Sequence, residues 1–350
     1  MKNKNITLIL PTYNRAKYFM RLLEFLTSAS FEMDILILDS SIDEIKIENG
    51  RCMEKIEPSL KIKRLQYSST MVGIDKILDG LSKVKTEFVV FCADDDFIMP
   101  QGIAMAADFL EKNPDYSVAH GYYLTCSLNR QPNNSINCVI DPEYYTPSWD
   151  HGDPVFRLCQ HFGHYQATFY GVHRTEKLKE NLMKNVRQFP CVSDLFGEVY
   201  LSMLDVIHGK IKRLPVFYYC RSFSGPSSGW ETWFARDDFS THYSRFRNGL
   251  AAELAGGTDY SDENCRRIID VFFTNYIMDF CYYLGSDAHR LPLPAELASR
   301  YPNEKIARKF EPNPALIQES LCFGKKDFAA MMKLIKKYPV ELEGKYPGMA

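Results

Sequence analysis

The sequence predicts an α/β protein with a mostly parallel central sheet, on three observations. Short runs at Ile6 to Leu10, Asp34 to Leu38 and Glu87 to Cys92 are apolar on both sides of a strand, as strands covered on two faces must be. Helical patterns lie between them, which is how parallel strands are connected. Each run ends at a polar or proline-led segment, and in such sheets ligands bind beyond the carboxyl ends of the strands.

Ile6 to Leu10 is the first strand, and Pro11 stops it. Asn14 is placed to cap the next helix, where Phe19, Leu22, Leu23 and Leu26 recur on one face. The second strand, Asp34 to Leu38, ends at Asp39. Ile62 to Tyr67 is a third β-type segment, followed by a helix from about Val72 to Lys83 with Ile74, Ile77, Leu78 and Leu81 on one side. Glu87 to Cys92 leads directly into Asp94, Asp95 and Asp96. A helix from Ile103 to Lys112 stops at Asn113-Pro114, and Tyr116 to Trp149 mixes strand and loop signals without a clear period.

After a second informative block, His161 to Arg221, the composition of Ser222 to Gly229 reads as a flexible loop. The domain boundary is placed there, with an α/β domain over residues 1–230 and a helical region over 231–350. In the latter, Phe239, Tyr243, Phe246, Leu250 and Leu254 mark one helix and Ile268 to Phe280 another. The aromatic character of these helices suits either a homodimer interface or one wall of a substrate site. The last helix, Lys325 to Lys337, sets Phe328, Met331, Met332 and Ile335 against five lysines. This pattern suits packing on the chain's own domain better than lying on a membrane.

The 42 basic and 44 acidic residues are mixed along the chain, so no global field favours nucleic acid or an anionic membrane. No run approaches the roughly 20 apolar residues of a membrane span. The ten cysteines form no Cys-x-x-Cys pair and read as buried thiols of a reducing cytoplasm. The expected location is cytoplasmic, with a peripheral position at the inner face of a membrane left open.

The strongest chemical signal is the aspartate triplet. Three adjacent carboxylates repel one another unless a cation sits among them, and Mg²⁺ or Mn²⁺ prefers carboxylates alongside phosphate oxygens. The plainer alternative is a solvated acidic turn capping the helix near Gln101. Leu10-Pro11-Thr12-Tyr13-Asn14-Arg15, Asp39-Ser40-Ser41-Ile42-Asp43 and Asp94-Asp95-Asp96 follow in an order and spacing that resembles family 2 glycosyltransferases of the GT-A fold, over about residues 5–225. The resemblance implies a nucleotide-diphospho-sugar transferase fold followed by a helical C-terminal region. It also implies transfer of a sugar from a nucleotide donor, UDP favoured, to a hydroxyl of a glycan or related acceptor.

By the same resemblance, Pro11, Thr12, Tyr13 and Arg15 hold the nucleoside, with Tyr13 suited to stack on the base. Asp39 accepts a hydrogen bond from the base, although Ser40-Ser41 stands where many members have a glycine. Gly73 and Lys76 occupy the place of a glycine and a basic residue, and Lys76 is either a phosphate or sugar contact or a solvated helix lysine. Asp94 is expected on the ribose and donor sugar, Asp96 on the metal and Asp95 between them, while Asp43 is a surface residue.

An inverting transferase needs a base to take the acceptor's proton. Asp194 is the first choice and Glu198 the second, from the segment Phe189 to Glu198. Arg221 is assigned to the diphosphate with Ser222 to Trp230 as a lid, and Phe223 stands where relatives often have a metal-binding histidine. His161 and His164 are read as substrate contacts or structural hydrogen-bonding groups, not zinc ligands. Two other readings remain: a non-catalytic sugar-nucleotide-binding scaffold of the same fold, and a sugar nucleotidyltransferase. The second is disfavoured because Pro11 to Arg15 contains no glycine.

Overall fold

The computed structural model describes residues 5–56, 59–71, 73–130, 136–142, 147–189, 195–223, 237–282 and 325–340. Strand β1 (Ile6–Thr12) pairs in parallel with β2 (Asp34–Asp39) and β4 (Phe88–Phe91), and β2 pairs in parallel with β3 (Lys61–Gln66). These four strands are the expected parallel part of the sheet. Beyond β4 the sheet becomes mixed, through β8 (Val172–Arg174), the long β6 (Tyr116–Arg130), β9 (Lys210–Phe223) and the short β5 (Phe97–Ile98). Strand β7 (Ile136–Pro142) forms a hairpin with β6. Three register shifts interrupt the β6–β9 pairing, which explains why the sequence from Tyr116 onward shows no clean period of two.

Side chains along β1 alternate between two cores, as period-two geometry demands. Ile6, Leu8 and Leu10 pack on one face with Phe19, Leu22 and Leu26 of α1 (Ala16–Ser28) and Ile103 of α4 (Pro100–Lys112). Ile9 points the other way. It joins Leu36, Leu38, Ile74 and Ile77, the last two on α3 (Gly73–Lys83), and Leu178 and Leu182 of α6 (Thr175–Gln188). Helix α4 lies tight on β9, where a Cβ at Gly102 would come within 2.9 Å of the Phe217 carbonyl.

Helix α1 does not use Asn14 as its cap: Arg15 is the N-cap residue and no side chain caps the helix. Asn14 instead takes a left-handed φ of 56°, which a short amide side chain tolerates. Its N–H donates to Ser41 Oγ at 3.0 Å and its Oδ1 accepts the Ile42 N–H at 2.9 Å. Asn14 therefore ties the β1 turn to the β2 turn. The helix α2 (Asp43–Glu54) that follows β2 was not foreseen, because only Asn49, Cys52 and Met53 of its residues are buried.

A third core joins α5 (Pro154–Gly163) and α7 (Leu195–His208) to α8 (Phe239–Gly257) and α9 (Asp262–Tyr282). Phe246, Leu250, Leu254, Ile269 and Phe273 are buried against Phe162, Phe196, Tyr200 and Leu204. The boundary placed near residue 230 thus falls between two segments that share one core. Of the aromatic residues that suggested a dimer interface, Phe246, Phe272, Phe273 and Tyr276 are buried in this core, whereas Phe239 and Tyr243 are only half-buried. The last described helix, α10 (Lys325–Lys337), buries Met331 and Ile335 in the first core beside α1, with Lys333, Lys336 and Lys337 outward. Among the described residues, no helix is long and apolar enough to cross a membrane.

Candidate functional site

The carboxyl ends of β1, β2 and β4 meet in one crevice, and backbone hydrogen bonds stitch their turns together. Ser40 N–H donates to the Thr12 carbonyl at 3.2 Å, and Tyr67 N–H to the Asp39 carbonyl at 2.8 Å. Pro11 is half-buried at the end of β1. Tyr13 stands out from this floor, 46% exposed, a free aromatic face at the rim. Gly73 opens α3 in open space, so no close backbone approach requires a glycine there.

The triplet is not a solvated acidic turn. Asp94 and Asp96 are buried, and Met99, not an aspartate, is the N-cap residue of α4. Asp94 Oδ2 accepts from Thr12 Oγ1 at 2.7 Å, and Arg15 bridges Asp94 Oδ1 at 3.2 Å and Asp95 Oδ2 at 3.0 Å. Arg15 thus lies against the acidic cluster. Burial, then the charge of Asp95, pushes the Asp94 carboxyl up to about 6, against the pull of Arg15 and Thr12.

Asp96 is held from the far side of the crevice. Its Oδ2 accepts from Tyr219 Oη at 2.8 Å and its Oδ1 from the Ser222 N–H at 2.9 Å, both on β9. Tyr219 also accepts the Ala93 N–H at 3.3 Å and stacks on Tyr170 with ring centroids 5.0 Å apart. Burial first, and Asp95 second, raise the Asp96 carboxyl well above the usual range. Each oxygen keeps a second lone pair, and a cation facing it would relieve both causes. Among the described residues no three His, Cys, Asp or Glu side chains converge as a metal cluster. The protein side of any metal site here would be the one Asp96 carboxylate, a donor set that fits Mg²⁺-type binding completed by phosphate oxygens and water.

Two sequence expectations change at the crevice floor. Lys76 is not a solvated helix lysine: it is 5% exposed, and its Nζ donates to the Thr12 carbonyl at 3.1 Å and Ser40 Oγ at 2.8 Å. Burial lowers its ammonium, while Asp94 and Asp39 favour the charged form. Asp39 is fully buried, and its carboxylate takes the Ser41 N–H at 2.9 Å, Asn49 Nδ2 at 3.0 Å and Arg64. These donors outweigh the burial that opposes them and leave Asp39 below the usual range. It anchors the β2 turn from beneath.

On the opposite wall, Glu198 in the first turn of α7 opens to solvent yet is hemmed in by protein, so desolvation raises its carboxyl. Tyr165 Oη donates to Glu198 Oε1 at 3.3 Å and pulls the other way, as does the charge of Arg221. Arg221 is exposed on β9 and also stabilises the charged form of Asp96. The half-buried Tyr170 feels the charges of Asp96, Asp95, Arg221 and Glu198, so all four lie in its neighbourhood. Asp194 lies outside the described residues, as does the loop from Ser224 to Trp230; of Phe223 only the backbone is described.

His161 does neither of the things expected of it. It is fully buried against Trp149, centroids 4.5 Å apart, with no hydrogen-bond partner on either ring nitrogen. Burial pushes its imidazole down to about 3, so it is a neutral core residue. His164 is the residue at the carboxyl end of α5, its N–H returning to the Gln160 and His161 carbonyls. Sequence reasoning assigned no role to Tyr219, although the Tyr218-Tyr219 pair ahead of Arg221 was the available signal. Arg21, which donates to the Asp95 carbonyl, was also missed.

The model of Glycosyl transferase family 2 matches residues 7–169, a span that contains Thr12, Arg15, Asp39, Lys76 and the whole aspartate triplet. These residues form a family 2 glycosyltransferase domain. A curated relative of this glycosyltransferase domain is the poly(ribitol-phosphate) beta-N-acetylglucosaminyltransferase TarS of Staphylococcus aureus, 28% identical over 111 residues. That match takes in 31% of this chain and only 19% of the relative's length. The crystal structure of S. aureus TarS 1–349 superposes with a TM-score of 0.50 at 17% identity, covering 97% of this chain and 90% of that one. The same TarS segment in complex with UDP-GlcNAc gives a TM-score of 0.53 at 18% identity, covering 96% and 91%. The GT-A fold of the family 2 glycosyltransferase and its helical C-terminal region are therefore shared with TarS 1–349.

Proposed function

We propose that this glycosyltransferase moves a sugar from a nucleoside diphosphate donor, UDP favoured, to a hydroxyl of a glycan or related acceptor, with inversion at the anomeric carbon. The observation that carries the reading is the pairing of a buried, cross-braced aspartate triplet with a cleft-facing glutamate on the opposite wall. UDP-GlcNAc is the donor to test first, because TarS 1–349, of the same fold, was crystallised with it.

In this reading Pro11, Thr12 and Tyr13 receive the nucleoside, with Tyr13 stacking on the base. Asp39, Lys76 and Gly73 shape the floor beneath it. Asp94 and Asp95, held by Arg15, face the ribose and donor sugar. Asp96 would hold Mn²⁺ or Mg²⁺ together with the diphosphate oxygens, and that ion would supply Lewis-acid stabilisation of the leaving diphosphate. Arg221 adds a fork of donors to the same phosphates. Glu198 takes the proton from the acceptor hydroxyl as its oxygen attacks the anomeric carbon from the face opposite the diphosphate. Asp194 is the competing base, four residues earlier.

The test is a panel of UDP-, GDP- and CMP-sugars with Mn²⁺, followed for release of the nucleotide with and without simple acceptors. Turnover of one donor that is lost in Asp96→Ala supports the reading. A protein that neither binds nor turns over any of them contradicts it.

A further inference from the structure

Arg21 is charged and lies on the apolar side of α1, yet it is only 1% exposed. Its guanidinium rests against the rings of Tyr18 and Phe97, 5.1 and 5.0 Å from their centroids. Burying a charge costs several kcal/mol unless its donors are satisfied in good geometry. The acceptors Arg21 reaches come from three distant parts of the chain. Nη2 donates to the Asp95 carbonyl at 3.0 Å and to Ser222 Oγ at 3.0 Å, and Nη1 donates to the Tyr338 carbonyl at 3.3 Å.

The first two acceptors belong to the two walls that clamp Asp96. The Asp95 carbonyl fixes the backbone of the acidic turn. Ser222 is the residue whose N–H holds Asp96 Oδ1 at 2.9 Å, next to Arg221. One rigid guanidinium therefore braces the acidic turn against β9 just beyond the β5–β9 pairing. The third acceptor follows α10, whose position is fixed by a second pair of contacts on α1. Lys337 Nζ donates to Glu24 Oε2 at 2.9 Å, and Tyr338 Oη to Glu24 Oε1 at 2.7 Å. Glu24 sits one turn beyond Arg21 on the same helix face.

We propose that Arg21 is a positioning residue of the donor site, and that the C-terminal helix α10 is part of the same device because its end seats the guanidinium. The role in donor binding rests on the reading that the aspartate triplet takes the donor diphosphate. A lysine cannot replace Arg21, because a single ammonium head lacks the planar fork that spans three acceptors.

The experiment compares wild type, Arg21→Lys, Ser222→Ala, their double variant and Glu24→Ala. It uses two readouts, amide hydrogen exchange on the ligand-free protein and affinity for UDP with Mn²⁺. Arg21→Lys is expected to speed exchange at the Asp96 and Ser222 amides by about tenfold more than in the rest of the first core. It should also weaken UDP by about tenfold. Adding Ser222→Ala to Arg21→Lys should change little, since the two act through one contact. Glu24→Ala should move both readouts in the same direction by about two- to threefold, although Glu24 touches neither segment.

Uniformly faster exchange across α1 and the core, with Asp96 and Ser222 no faster than their neighbours and UDP affinity unchanged, would overturn the proposal. A wild type that binds no nucleoside diphosphate, while Arg21→Lys still loosens Asp96 and Ser222 selectively, would defeat the donor reading and the donor-binding role together. The clamp itself would remain established.

Discussion

The two walls of the cleft hold their carboxylates in opposite ways. On the donor wall, Asp94 and Asp96 are buried and every oxygen already accepts a hydrogen bond, from Thr12, Arg15, Tyr219 or Ser222. On the facing wall, Glu198 is open to solvent and its hydrogen bond from Tyr165 is long at 3.3 Å. A carboxylate that would hold a cation against a diphosphate benefits from a rigid frame that needs no reorganisation. A carboxylate that must gain and lose a proton needs access to the acceptor and a pKa moved toward the working pH.

The largest expected effect breaks this contrast on the facing wall. Glu198→Gln should lower kcat by about a thousandfold, with the donor KM nearly unchanged. If Asp194→Asn gives that loss instead, and Glu198→Gln does not, the base is the earlier carboxylate. On the donor wall, Asp96→Ala should lower kcat/KM by about a hundredfold and remove any metal dependence of UDP binding.

The pH profile sharpens the same contrast. Desolvation raises Glu198 above its usual value of 4.5, so its basic form is present only above that raised pKa. The activity should fall as pH drops through an acid limb that lies above 4.5. The bond from Tyr165 favours the charged carboxylate, so Tyr165→Phe should move the limb to still higher pH. A limb that stays put, or moves down, would separate Glu198 from the titration.

The smallest effect tests the frame rather than the chemistry. Lys76→Met keeps most of the side chain's length but leaves the Thr12 carbonyl and Ser40 Oγ without their donor and removes one of the cations near Asp94 and Asp39. The expected cost is about 1–3 kcal/mol in urea unfolding.

Most of the donor wall was legible in the sequence, because its strands are apolar on both faces and end abruptly in polar residues. Ile6 to Thr12, Asp34 to Asp39 and Phe88 to Asp96 announce both the parallel strands and the residues at their carboxyl ends. What holds those residues was not legible. Tyr219 and Ser222 reach Asp96 from more than a hundred residues away, and only the tertiary fold sets that meeting. Arg21 could have been noticed as a charge among Tyr18, Leu22 and Phe25 on one helix face, but its three acceptors could not. Asn14 was misread because an N-cap and a left-handed turn residue favour the same amide side chain. His161 was misread because two histidines three apart suggest a site, whereas the fold turns one into a packed core.

The central claim is that the buried triplet is a metal-assisted nucleoside diphosphate site, and calorimetric titration of UDP into the full chain tests it most directly. With Mn²⁺ present, UDP should bind the wild type at least tenfold more tightly than without it, and Asp96→Asn should bind equally weakly in both conditions. UDP affinity that is indifferent to Mn²⁺ in the wild type, or equally strengthened by it in Asp96→Asn, would contradict the account.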